Sequence, residues 1–200
     1  MEWAFVTFGI GVLAATVVLG GLLATLAVED FRFWPPGDDD AKLRVYLVCS
    51  RGAFLSVLAT GILDWNAGPL PWPGQVAGAV LFVASLAVLS KAAADLGEEE
   101  TKGRAGELRT GGLYRYSRNP QNTGYLLFVW GFALLTNSPL VAGLAGAMTL
   151  WLVVQVPVEE PWLHEQYGEA YADYRRRTPR FVGYRSLVRA LDGDGSGDGD

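Results

Sequence analysis

The sequence predicts an all-α fold, a polytopic membrane helix bundle. It should have about five transmembrane helices, a C-terminal helical hairpin and a cytoplasmic amphipathic helix. Three observations predict this. Half of the 200 residues are hydrophobic and only 18% are charged, below the about 25% usual in soluble domains. The charges are crowded between long windows that carry none. Finally, five crossings would place all 16 Lys and Arg except Arg51 on one side of the bilayer, as the positive-inside rule requires.

The elements follow in order. Residues 3–28 carry no charge and exceed the roughly 20 apolar residues that span a bilayer. They lack the basic start of a signal peptide, so they read as a retained helix. Residues 43–63 form a second span, interrupted by Arg51, and residues 73–94 a third, with Lys91 near its end. Residues 122–136 form a short fourth span and 139–158 a fifth. Between these last two, Thr136-Asn-Ser-Pro139 punctuates the helices, and so short a turn makes them an antiparallel hairpin. Residues 162–181 place Trp162, Leu163, Tyr167, Tyr171 and Tyr174 at three- and four-residue steps, an amphipathic helix with a basic end suited to a membrane surface.

This reading makes residues 1–185 one membrane domain, with the N-terminus outside and the C-terminus cytoplasmic. Residues 190–200 are a Gly/Asp-rich tail that cannot bury a core and should be disordered. The net charge is −5 despite the arginines, an acidic balance that suggests a halophilic source. One cysteine, Cys49, rules out a disulfide framework and a multi-cysteine metal site, and one histidine, His164, argues against a histidine cluster. No metal and no nucleic-acid partner is expected; the partners are the bilayer and a lipophilic or small-molecule substrate.

The polar sequence that could do chemistry lies on the cytoplasmic side, and the hairpin brings two parts of it together. The first is YRYSRNPQNTGY, residues 114–125. Pro120 suits the first turn of a helix and Asn119 is a natural cap. Asn122, Thr123 and Gly124 at a membrane entry suggest close approach of another backbone or of a ligand. The second is the acidic pair Glu159 and Glu160, flanked by Pro157 and Pro161. Adjacent carboxylates at a helix end call for a cation. Arginines from 175–177 could supply it, or a ligand carrying an ammonium or sulfonium group. Arg51, near the middle of the second span, is costly there by about 2.5–3.5 kcal/mol. It is either a bundle-interior arginine bonded to carbonyls or an anchor for an anionic part of a substrate.

In order and spacing, GGLYRYSRNPQNTG, the hydrophobic hairpin, VPVEEP and QYGEAYADYRRRTPRF resemble the isoprenylcysteine carboxyl methyltransferase and phospholipid methyltransferase superfamily, over about residues 91–182. The resemblance implies an integral membrane methyltransferase that takes its methyl group from S-adenosylmethionine. It implies a cofactor site made of Tyr114, Arg118, Asn119, Pro120, Asn122, Gly124, Glu159 and Glu160. Substrate would be held by Arg51, Tyr171, Tyr174 and Arg180, with Glu160 and Arg180 as the catalytic residues. The chain departs from the family pattern at Asn119, where His is usual, and at Asn122, where Tyr is usual. Asn can hydrogen-bond but cannot act as a base near neutral pH. The family resemblance leaves the acceptor open among carboxylates, thiols and lipid amines. Two rivals remain: an NADPH-dependent membrane reductase of related fold, and a non-catalytic adaptor that has lost the cofactor site.

Overall fold

A computed structural model describes residues 2–96, 106–183 and 186. The acidic tail of residues 190–200 and the acidic run at 98–100 lie outside the described residues. The described residues form five α-helices: α1 (Glu2–Ala27), α2 (Asp40–Leu63), α3 (Trp72–Leu96), α4 (Pro120–Thr136) and α5 (Pro139–Arg177). A 3-10 turn, Gly112–Arg115, precedes α4. Helices α1, α2, α3 and α5 are long and apolar enough to cross a membrane. At 17 residues, α4 is about 25 Å long, short of a full bilayer core of about 30 Å. It is enclosed instead between α3 and α5.

Leu22, Val57, Val129, Leu144, Met148 and Trp151 form the centre of the core. Phe5, Leu13, Val48, Ile62, Val80 and Leu150 point outward. So large an exposed apolar surface suits lipid rather than water. Helices α3 and α4 pack backbone to backbone at two glycines. A Cβ on Gly78 would lie 2.3 Å from the amide nitrogen of Leu135, and one on Gly131 would lie 2.6 Å from that of Phe82. Small residues permit this approach, which drives helix association in lipid.

The hairpin end is fastened by polar groups. Asn137 takes a left-handed conformation; its side chain accepts from the backbone of Leu70 at 3.0 Å and donates to Asn66, Gly68 and Leu70. Ser138 caps α5 by accepting from the Val141 amide and donates to Asp64 at 2.5 Å. The 64–71 loop and the hairpin turn therefore share one end of the bundle, as the alternating spans predicted.

The other end departs from expectation. The fifth span does not stop at 158; the boundary with the helix beyond it lies further along, at Gly168. Helix α5 passes through Pro157 and Pro161 and, after a kink, continues to Arg177. Each proline removes one hydrogen bond, and the helix continues because its faces are packed. The break falls at Gly168, whose φ of 54° lies where only glycine is unstrained.

Candidate active site

Beyond Arg177 the chain folds back along the segment that leads into α4. Backbone nitrogen of Arg118 donates to Pro179 at 2.9 Å, and Ser117 Oγ donates to the Arg180 carbonyl at 3.0 Å. Tyr174 donates its hydroxyl to the Tyr114 carbonyl at 2.6 Å. At the far end of the same segment, Asp95 at the close of α3 accepts from the Leu113 amide at 2.9 Å. The polar lip is thus held from both sides before any ligand is considered.

The two adjacent carboxylates have different fates. Glu160 is buried and grasped twice: Arg118 Nη1 donates to Oε1 at 2.9 Å, while Arg180 forks across both oxygens at 2.8 and 2.7 Å. The same Arg118 nitrogen donates to the Tyr171 hydroxyl at 3.0 Å, and its Nε to the Thr178 carbonyl. Arg180 is held above its ordinary pKa, chiefly by its hydrogen bonds to Glu160. The cation that the acidic pair demanded is therefore supplied by Arg118 and Arg180, not by residues 175–177.

Glu159 has no such neutralisation. Its Oε1 accepts from Trp34 Nε1 and from Gln155 Nε2, and among the described residues no cation lies within ion-pair distance. Gln155 is oriented in turn by two donors on its own oxygen, the Tyr46 hydroxyl at 3.1 Å and Trp151 Nε1 at 2.9 Å. Trp34 stacks on Tyr46 with centroids 3.7 Å apart. The result is a carboxylate in an aromatic setting, aimed by a fixed network of neutral donors.

Both acids border a cavity of about 330 Å³, within the size range of small-ligand sites. Tyr114, Arg118 and Asn119 in the lead into α4, with Asn122 in its first turn, form the α4 wall; Tyr171, Tyr174 and Arg51 also line the cavity. Three other expected residues do not. Pro120 is buried as the first residue of α4. Gly124 faces α3, where an added Cβ would meet Leu89 at 2.8 Å. Arg180 stands behind the wall and holds Glu160. The side chain of Asn119 does not cap α4 as expected; it donates to the Arg180 carbonyl at 3.1 Å. The buried amide of Asn122 donates to the Leu152 carbonyl at 3.2 Å, tying α4 to α5. With their polar groups so engaged, Tyr174 and Arg180 shape the site, and Glu160 is not free to take a proton.

Sequence reasoning missed Trp34, Tyr46, Trp151 and Gln155. Only Gln155 carries a local signal: it is the lone amide in an apolar span, one helical turn before Glu159.

The profile of the phospholipid methyltransferase family matches residues 74–170, from the start of α3 past the acidic pair. Over that stretch, just under half of its length, the chain is similar to this family. A methanethiol S-methyltransferase of Pseudomonas deceptionensis is 31% identical over 165 residues, covering 82% of this chain and 55% of that protein. A methanethiol S-methyltransferase of Crocosphaera subtropica is 32% identical over 83 residues, 40% of this chain and 32% of that protein. Protein-S-isoprenylcysteine O-methyltransferase B of Arabidopsis thaliana is 31% identical over 78 residues, 38% of this chain and 39% of that protein. The chain therefore spans between about a third and just over half the length of these relatives. No solved structure matches it. Within the matched stretch, the notable local feature is the unequal treatment of the acidic pair.

Proposed function

We propose that this chain is an integral membrane methyltransferase that uses S-adenosylmethionine and passes its methyl group to a lipophilic or small nucleophile. One observation carries the reading: Glu159 presents a carboxylate without a cationic partner, among the described residues, to an aromatic-lined cavity. Such a surface suits a cation, through charge and through the faces of the rings. It suits a phosphate-bearing dinucleotide poorly, which weighs against the reductase reading.

The residues present fit a sulfonium compound. Glu159 would hold the positive charge, with Trp34 and Tyr46 beside it, and Asn119, Asn122 and Tyr114 would orient the remaining polar groups from the α4 wall. When bound, the donor supplies an electrophilic methyl group. The chain's own task is alignment and exclusion of water, which is catalysis by proximity. Neither Glu160, held by two arginines, nor Asn119, which has no basic nitrogen, offers a base, and Glu159 would be taken up by the donor's charge. The excess of Lys and Arg at this end of the bundle supports a cytoplasmic mouth, to be tested by protease access to the intact membrane's two faces.

Calorimetry of the detergent-purified protein tests the reading. S-adenosylhomocysteine should bind and NADPH should not. Absence of heat with S-adenosylhomocysteine, with lipid present, overturns it.

A further inference from the structure

The cavity has a second pole. Leu47, Ser50, Arg51 and Phe54 recur at three- and four-residue steps along α2 and all line it. Arg51 stands about 16 Å along α2 from its start, at the depth of the apolar core. It is open rather than packed, and among the described residues it has no carboxylate within ion-pair distance. An unbroken aromatic wall joins this pole to the other. Trp34 stacks on Tyr46, Tyr46 meets Trp151 at 6.2 Å, Trp151 meets Phe54 at 6.1 Å, and Phe54 meets Tyr125 at 4.8 Å. One cavity therefore offers a lone carboxylate at one place and a lone guanidinium at another.

We propose that Arg51 is the specificity-determining residue of the acceptor subsite, and that it selects an acidic acceptor, a thiol or carboxylic acid bound as its anion, over a lipid amine. The inference rests on the methyltransferase reading and deepens it. A guanidinium at this depth of the span, open to the cavity and with no carboxylate beside it among the described residues, is matched by an anion brought by the ligand. An ammonium would meet repulsion there. The charges of the reaction agree. The acceptor's sulfur or oxygen lone pair forms the bond to the methyl carbon while the donor's carbon–sulfur bond breaks, and that electron pair stays on the donor sulfur. One negative and one positive charge vanish together, and no proton has to leave. Attack by an amine would instead leave a new ammonium cation facing Arg51, with a proton still to be removed, while the cavity's lone carboxylate, Glu159, is matched to the donor's charge.

The test separates this inference from the reading beneath it. Wild-type, Arg51→Gln and Arg51→Lys proteins are purified in detergent and titrated with S-adenosylhomocysteine, then with decanoate and with decylamine, each with and without S-adenosylhomocysteine. Binding of S-adenosylhomocysteine should be the same in all three proteins; its absence from wild type would remove the methyltransferase reading alone, since the comparison of acid and amine still decides the role of Arg51. Decanoate should bind wild type on the order of tenfold more tightly than decylamine, the scale of one charge-assisted hydrogen bond. Arg51→Gln should lose that preference and Arg51→Lys should keep most of it. If Arg51→Gln does not fold, wild type and Arg51→Lys suffice for the head-group comparison. Equal binding of acid and amine by wild type, or an undiminished preference in Arg51→Gln, overturns the proposal.

Discussion

Arg118 and Glu160, 42 positions apart, are joined at 2.9 Å with both side chains buried. Arg180 closes the other carboxylate oxygen at 2.7 Å. Three chain segments meet at this one acid: the lead into α4, the middle of α5 and the return after Arg177. Breaking a buried ion pair by removing one charge leaves the other stranded. Glu160→Gln should therefore lower stability by roughly 3 kcal/mol, read as a drop in the thermal midpoint of the detergent-solubilised protein. A midpoint equal to wild type would mean that the three segments are held by something else.

The neighbouring substitution should behave in the opposite way. Glu159→Gln keeps an oxygen to accept from Trp34 and Gln155 and removes a charge that has no partner among the described residues. Its thermal midpoint should match or exceed that of wild type. Its affinity for S-adenosylmethionine should fall on the order of tenfold more than its affinity for S-adenosylhomocysteine, because only the former carries the sulfonium charge. Parallel losses for both compounds in calorimetry would show that Glu159 does not sense that charge.

The α3–α4 contact gives a third prediction. Gly131→Ala drives a methyl group into the backbone at Leu81 and Phe82, and overpacking of this kind costs about 1–3 kcal/mol. Gly20→Ala in α1 meets nothing within 4 Å and should be neutral or slightly stabilising, since alanine is the better helix former. Unfolding in a mixed detergent series should rank the two this way; equal midpoints would refute the close packing.

A fourth concerns acid. The Asp39 side chain caps α2 by accepting from the Ala41 and Lys42 amides, at 3.1 and 3.0 Å. Hydrogen bonding from the Lys42 backbone, foremost, holds its carboxyl below the ordinary 3.8. The cap's charge contribution is therefore complete above that ordinary value and is lost as pH falls through the lowered folded value. Asp39→Asn keeps a capping oxygen without the titration. The difference in thermal midpoint between wild type and Asp39→Asn should shrink as pH drops below 3.8. A difference constant across that range would show that the charge is irrelevant to α2.

What the sequence disclosed and what it hid divide along a physical line. Apolar length and charge placement set the spans, and a Thr-Asn-Ser-Pro turn is too short for anything but a hairpin, so Asn119 and Glu160 were bound to meet. Local rules failed where a distant partner overrode them. Asn119 has the identity of a cap, yet the Arg180 carbonyl takes its amide. Pro157 and Pro161 look like a helix end, yet packing carries α5 past them. Two adjacent glutamates look equivalent, and only the arrival of Arg118 and Arg180 on one side makes them different. Trp34 and Tyr46 were invisible for the same reason. They precede the stretch with family resemblance, and nothing periodic links them to Glu159.

The hydrogen bond from Trp34 to Glu159 spans 125 positions. While the ribosome is still adding residues, α1 to α3 can already lie in the bilayer, but the niche beside Trp34 has no floor. It closes only when the final hairpin inserts and brings Glu159 and Gln155 alongside. A truncated chain released early would thus be a membrane passenger with nothing to hold a ligand, and competence would arrive in one late stage of biogenesis.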